Sequence, residues 1–228
     1  MKNTSGTTEQ KRRAGESAAD LVADGMVVGL GTGSTAAHAI EALGQAVDSG
    51  LDIAGIPTSF QSRQLALDHG IPLTTLDAVE TVDLAIDGAD QVAGFTLVKG
   101  GGAAHAREKI VDAAADRFVV VADPSKVVEG LDYPVPVEVL PDARTTVADA
   151  VVDHGGDPTL RQAERKDGPV VTDNGNVVLD CDFGTVADPA ELATALSALP
   201  GVVEHGLFVD MADEVHVGLD DGVERRTR

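Results

Sequence analysis

Short apolar runs, each closed by a turn rich in glycine or aspartate and followed by a helical pattern, constrain this chain most. Met26-Val27-Val28-Gly29-Leu30, Val82-Asp83-Leu84-Ala85-Ile86 and Phe118-Val119-Val120-Val121-Ala122 read as buried strands. Residues 52–56 and 96–98 read as two more strands. Between them, Ala36, Ala39, Ile40 and Leu43 recur at helical spacing, residues 59–69 read as a helix, and another starts near Ala104. Residues 7–24 form a leading helix, with Thr7 and Gln10 in capping-box register and Gly25 as the stop. Strands alternating with helices predict an α/β fold, a parallel sheet covered on both faces.

The pattern changes after Asp132. Pro134, Pro136 and Pro141 bracket an extended run, and a helix follows over residues 144–152. Residues 170–172 and 177–179 flank Asp173-Asn174-Gly175-Asn176, a strong hairpin signal. A helix over residues 188–199, a single strand over residues 202–209 and a last strand over residues 214–219 complete the chain. The expectation is an antiparallel α+β unit, residues 132–207, inserted into an α/β domain of residues 1–131 plus 208–228. The last strand is expected to rejoin the parallel sheet.

Charge narrows the partners. Asp plus Glu total 38 against 17 Lys plus Arg, a formal net charge of −21. Such a surface repels phosphate backbones and anionic lipid, so neither nucleic acid nor a membrane is expected as a partner. No apolar run approaches the ~20 residues of a membrane span, and residues 1–9 lack the apolar core of a signal peptide. A cytoplasmic location is expected. The lone Cys181 permits no internal disulfide or cysteine metal cage, and reads as a buried strand residue. The acids comprise 26 Asp and 12 Glu, and there are only six Lys. An Asp-rich, Lys-poor surface points to adaptation to high salt, and makes each lysine informative.

Three segments carry chemistry. Gly31-Thr32-Gly33-Ser34-Thr35 joins a strand to a helix, a cradle for an anion with three hydroxyls beside its amides. Gly31, Gly33 and Ala36 match dinucleotide-binding spacing, but the second strand ends Ile56-Pro57-Thr58-Ser59, without the acid that ribose hydroxyls require. A small phosphate fits the turn better. Asp87-Gly88-Ala89-Asp90 places two carboxylates after a buried strand. Lys99-Gly100-Gly101-Gly102 offers a point charge and a run of unhindered amides, and Glu108 follows on the next helix. A phosphate cradle, a general base, a lysine and backbone amides suit proton transfer beside a carbonyl, with stabilisation of an enediolate oxygen. The six histidines show no metal-ligand spacing.

In order along the chain, these motifs resemble the type A ribose-5-phosphate isomerases. Ala122-Asp123-Pro124-Ser125-Lys126, Pro136-Val137-Glu138-Val139, Thr172-Asp173-Asn174-Gly175-Asn176 and Pro200-Gly201-Val202-Val203-Glu204-His205-Gly206-Leu207-Phe208 extend the resemblance over nearly the whole length. The resemblance implies a Rossmann-like domain with an inserted ferredoxin-like lid domain. It also implies interconversion of ribose 5-phosphate and ribulose 5-phosphate without metal or organic cofactor, by a homodimer or homotetramer. Glu108 matches the proton-shuttling base, and Asp87 the residue assisting ring opening. Asp90 and Lys99 match groups that bind the sugar and stabilise the enediolate. Thr32, Gly33, Ser34, Thr35, Gly88, Ala89, Gly100, Gly101, Gly102 and Lys126 match substrate-binding positions, and Lys11 one that approaches the phosphate. Residues 56–62 vary within the family, so their contacts do not carry over. The runner-up readings are an acyl or coenzyme A transferase and a sugar-phosphate-sensing regulator on a related fold. The first would be unusually short, and the second lacks a basic DNA-binding module.

The charge generates a prediction of its own. Screening extends to ~30 Å at 0.01 M salt but only ~3 Å at 1 M, so folding or assembly is expected to need molar salt. Circular dichroism and size-exclusion chromatography over a salt series check this, and an unchanged molecule at the lowest salt refutes it.

Overall fold

The computed structural model describes residues 6–228; residues 1–5 of the N-terminal segment read above lie outside the described residues. The elements run α1 (Thr8–Ala19), β1 (Val27–Leu30), α2 (Ser34–Asp48), β2 (Ala54–Pro57), α3 (Phe60–Asp68), β3 (Leu84–Gly88), β4 (Gln91–Ala93), β5 (Thr96–Val98), α4 (His105–Ala114) and β6 (Phe118–Ala122). They continue with β7 (Val135–Val139), α5 (Arg144–Asp153), β8 (Asp157–Leu160), β9 (Val177–Asp182), α6 (Pro189–Ser197), β10 (Val202–His205), β11 (Leu207–Phe208), β12 (Glu214–Gly218) and β13 (Val223–Thr227). Among the described residues they form two compact units, one of residues 6–89, 107–127 and 210–228, the other of residues 90–106 and 128–209.

The first unit is built on a sheet of order β13-β12-β6-β3-β1-β2, parallel except for β13. Val28, Leu30, Leu84, Ile86, Val119 and Val121 pack with Ala39, Ile40 and Leu43 of α2 and Ala14 and Ala18 of α1. These strands have neighbours on both sides and apolar residues throughout, as a sheet covered on both faces requires. The Thr7 capping box is present, with its hydroxyl accepting from the Gln10 N–H, but α1 ends at Ala19, short of the expected residue 24. There the chain tightens through bonds from Leu21 N–H to Ala18 O and from Val22 N–H to Ala19 O. β12 rejoins the sheet beside β6, as expected. β13 was not expected. It is an edge strand whose Val-Glu-Arg-Arg-Thr run carries little apolar signal, because it is held by backbone pairing to β12.

The second unit holds a sheet of order β10-β7-β9-β8, whose β7-α5-β8-β9-α6-β10 sequence is the ferredoxin-like βαββαβ pattern. Val135, Val137, Val139, Val147, Val151, Leu179, Cys181 and Leu196 form its core. Burial pushes the Cys181 thiol up to about 12, with Asp180 adding to the effect, so this cysteine is an inert core residue. A smaller sheet, β11-β5-β4, completes the unit.

Three expectations change here. Thr96–Val98 does not join the parallel sheet: β5 pairs antiparallel with β4 and β11. Residues 90–106 therefore group with the antiparallel unit, which spans 90–106 and 128–209. The expected Asn-Gly hairpin shrinks to one bridge, Val171 to Val177, while β9 pairs instead with β7 and β8. Its turn is held by side chains: Glu138 Oε1 accepts from the Thr172 hydroxyl at 2.8 Å, Asn174 Nδ2 at 3.0 Å and Asn176 Nδ2 at 2.8 Å. Lastly, the single strand over residues 202–209 divides, β10 pairing with β7 and β11 with β5.

Gly206 makes that division. Its N–H donates to Pro136 O at 2.7 Å and its carbonyl accepts from the Lys99 N–H at 2.8 Å. A Cβ there would fall 2.1 Å from Lys99 O. Gly206→Ala is expected to cost about 1–3 kcal/mol, lowering the thermal midpoint by about 2–4 °C for each kcal/mol. A wild-type midpoint would refute this account of the crossover.

Candidate active site

In the parallel-sheet unit the chain passes from β1 to β2 on one side and to β3 on the other, so β1 and β3 flank a switch point. Ligands of open α/β sheets bind at the carboxyl ends of strands at such a point. Here β1 ends in the Gly31–Thr35 turn. Gly33 is the N-cap of α2 and supplies no side-chain cap, leaving the first amides of the helix to an anion. Thr35 is buried and Ser34 exposed.

Asp87, at the end of β3, is fully buried. Its Oδ1 accepts the Thr32 N–H at 2.9 Å and the Gly88 N–H at 2.6 Å. A Cβ on Gly31 would lie 2.3 Å from the Asp87 Cγ, so the turn closes onto the carboxylate only because Gly31 has no side chain. The Thr32 hydroxyl meets the Thr58 hydroxyl at 2.9 Å and donates to Ser59 Oγ at 2.7 Å. Ser59 is itself the N-cap of α3, in a capping box with Ser62. Residues 56–62, whose contacts the sequence left open, thus brace the cradle. The Ser59–Ser62 capping spacing is the signal that points to them.

β6 ends at the same edge. Asp123 caps the short turn Pro124–Lys126, accepting from the Ser125 N–H at 3.0 Å, and Lys126 is 9% exposed. Gly6, just ahead of α1, lies against Asp123, since a Cβ there would fall 2.0 Å from its Cγ. Lys11 is half-buried on α1.

Glu108 stands in the first turn of α4 and is 4% exposed. One turn further on, Val111 lies against Gly29, two residues before Gly31. The segment after the helix is bridged to the start of the sheet, Ala115 to Val82, so α4 points its N-terminus, and Glu108, at the carboxyl edge. Asp112, four residues on from Glu108, is a second buried carboxylate on that face. It was missed in sequence, although the i, i+4 spacing of two acids was visible.

Asp90 and the glycine run belong to the antiparallel unit. Asp90 Oδ2 accepts the Gly101 N–H at 2.7 Å, and the Asp90 N–H donates to Val98 O at 2.8 Å. Lys99 is 2% exposed, with its ammonium 5.3 Å from the centroid of the Phe208 ring, an arrangement that favours a cation. Ala103 takes φ of 60°, a left-handed conformation rare without glycine, where the loop turns into α4.

Comparison with known proteins fixes the relationship. Residues 54–222 match the family model described as ribose 5-phosphate isomerase A (phosphoriboisomerase A). A protein of Haloarcula marismortui named ribose-5-phosphate isomerase A is 72% identical over 222 residues, 97% of each chain. The chain belongs to the ribose 5-phosphate isomerase A family. Among solved structures, the family member from Methanocaldococcus jannaschii is 46% identical with a TM-score of 0.92, covering 96% of this chain and 98% of its own. A D-ribose-5-phosphate isomerase in complex with phospho-erythronic acid is 43% identical with a TM-score of 0.93, over the same shares. No helix among the described residues is long and apolar enough to cross a membrane.

The structure thus gathers Thr32, Gly33, Ser34, Thr35, Asp87, Gly88, Glu108 and Lys126 at one sheet edge of the first unit. Asp90, Lys99, Gly100, Gly101 and Gly102 form one connected loop system in the second. The fit of Gly31 is testable. Gly31→Ala is expected to destabilise by about 1–3 kcal/mol in denaturant and to speed hydrogen exchange at the Thr32 amide. Protection of that amide as in the wild type would show that Asp87 does not depend on the turn.

Proposed function

We propose that this chain interconverts D-ribose 5-phosphate and D-ribulose 5-phosphate. The 72% identity to a named ribose-5-phosphate isomerase A, over 97% of both chains, carries this reading. The buried acids and the uncapped turn at the N-terminus of α2 are what such chemistry needs. The turn of residues 32–35 and Lys126 hold the phosphate. Asp87 assists opening of the ring, moving a proton between ring oxygen and hydroxyl. Glu108 takes the C2 proton of the open-chain aldose and returns it to C1, leaving a planar enediolate between the two transfers. Asp90, Lys99 and residues 100–102 bind the sugar and stabilise the enediolate oxygens, with the Gly101 N–H held by Asp90. The bound acid of a relative supports this, since a planar carboxylate has the charge and shape of an enediolate. The reaction needs neither metal nor organic cofactor. The antiparallel unit acts as a lid and takes part in assembly into a homodimer or homotetramer in the cytoplasm.

In deuterated water the enzyme is expected to place deuterium at C1 of the ketose and C2 of the aldose. Glu108→Gln keeps the shape but accepts no proton, so isomerisation and exchange fall together by at least about a hundredfold, with substrate binding retained. Near-normal turnover would remove Glu108 as the base. Lys99→Ala is expected to lower kcat by about 10²–10³-fold with little change in KM, as steady-state kinetics will read. A loss confined to KM would make Lys99 a phosphate anchor instead.

A further inference from the structure

Arg161 lies outside every motif singled out in the sequence. Its backbone continues the edge of β8, donating its N–H to Val178 O at 2.9 Å and accepting at its carbonyl from the Val170 N–H at 2.9 Å. Its side chain is 14% exposed. One edge of the guanidinium forms a fork on Asp180 of β9, with Nε donating to Oδ2 at 2.9 Å and Nη2 donating to Oδ1. The remaining nitrogen, Nη1, donates to the carbonyl of Gly100 at 2.8 Å and, more weakly, to that of Gly101 at 3.4 Å.

The consequence follows from peptide geometry. In a trans peptide the C=O and the next N–H lie in one plane and point in opposite directions. Arg161 holds the C=O edge of the Gly100–Gly101 peptide, and Asp90 accepts from its N–H edge at 2.7 Å. The plane is gripped from both sides. The weaker bond to Gly101 O likewise directs the Gly102 N–H away from the guanidinium. Glycines have the largest backbone freedom to lose, so this run needs an external clamp to keep its amides aimed. Tyr133 shares the surroundings: burial first, then Asp90, push its phenol up to about 12, with Arg161 opposing and Asp180 adding.

The geometry points to Arg161, locked by Asp180, as a positioning residue that aims the Lys99–Gly102 segment at the developing enediolate. A lysine has neither the planar fork nor the third donor direction that this clamp uses. The inference rests on the isomerase reading above and deepens it.

Steady-state kinetics and hydrogen exchange test it on the wild type, Arg161→Met and Arg161→Lys, alone and combined with Lys99→Ala. Arg161→Met is expected to lose up to about 10²-fold in kcat with KM nearly unchanged, to exchange the Gly101 and Gly102 amides faster, and to regain activity in millimolar guanidinium. In the Lys99→Ala background the same substitution is expected to cost little more, because both act through one segment. Additive losses, or a wild-type kcat in Arg161→Met, would overturn the inference. If Arg161→Met fails to fold, Arg161→Lys decides, with a reduced kcat at constant KM supporting the clamp and a wild-type kcat overturning it. A wild type inactive on ribose 5-phosphate would defeat the functional reading alone. Exchange at Gly101 and Gly102 would still decide the clamp, unchanged protection in the variants overturning it.

Discussion

A carboxylate with no access to water holds the cradle together. Asp87 sits at the end of a strand buried on all sides, where an ionised group is costly unless hydrogen bonds replace its hydration. The Thr32 and Gly88 amides both donate to its Oδ1, and leaving a buried acceptor unsatisfied would cost about 1–3 kcal/mol. Satisfying Asp87 forces the turn after β1 down onto the end of β3, and only a residue without a side chain fits at Gly31. Through the Thr32 hydroxyl the same turn is tied to Thr58 and Ser59 at the end of β2. Three adjacent strand ends are thereby fixed by one buried carboxyl group, and the helix N-terminus at Gly33 is aimed as a result.

The antiparallel unit meets a different demand, that of holding a flexible run still. Lys99 is tied by its N–H to Gly206, Gly101 by its N–H to Asp90, and Gly100 by its carbonyl to Arg161. Each tether comes from a different stretch of chain, so the loop's geometry is a property of the folded unit. Charge is distributed accordingly. Lys99 and Lys126, two of only six lysines, are buried, together with the acids Asp87, Glu108, Asp112, Asp123 and Glu138. The expected dependence of folding on salt is in keeping with the halophilic sources of several relatives.

The sequence by itself determined what depends on neighbouring residues. The apolar runs gave the parallel strands, Thr7 with Gln10 gave a helix cap, and the order of Gly31–Thr35, Asp87–Asp90, Lys99–Gly102, Glu108 and Lys126 gave the family and the candidate site. Each is a local pattern, written within a few residues of the place it shapes. Tertiary structure alone decided which strands pair. An Asn-Gly turn was read as a hairpin, yet its side chains bind Glu138, 34 to 38 residues away in sequence, and β9 pairs elsewhere. Residues 202–209 read as one strand, yet Gly206 hands the chain from one sheet to another. The polar strand β13, the bracing hydroxyls of Thr58 and Ser59, and the grip of Arg161 on Gly100 were equally hidden. Such contacts join residues far apart in the chain, and their energy exists only once the backbone has brought them together, so no short stretch of sequence carries their signal.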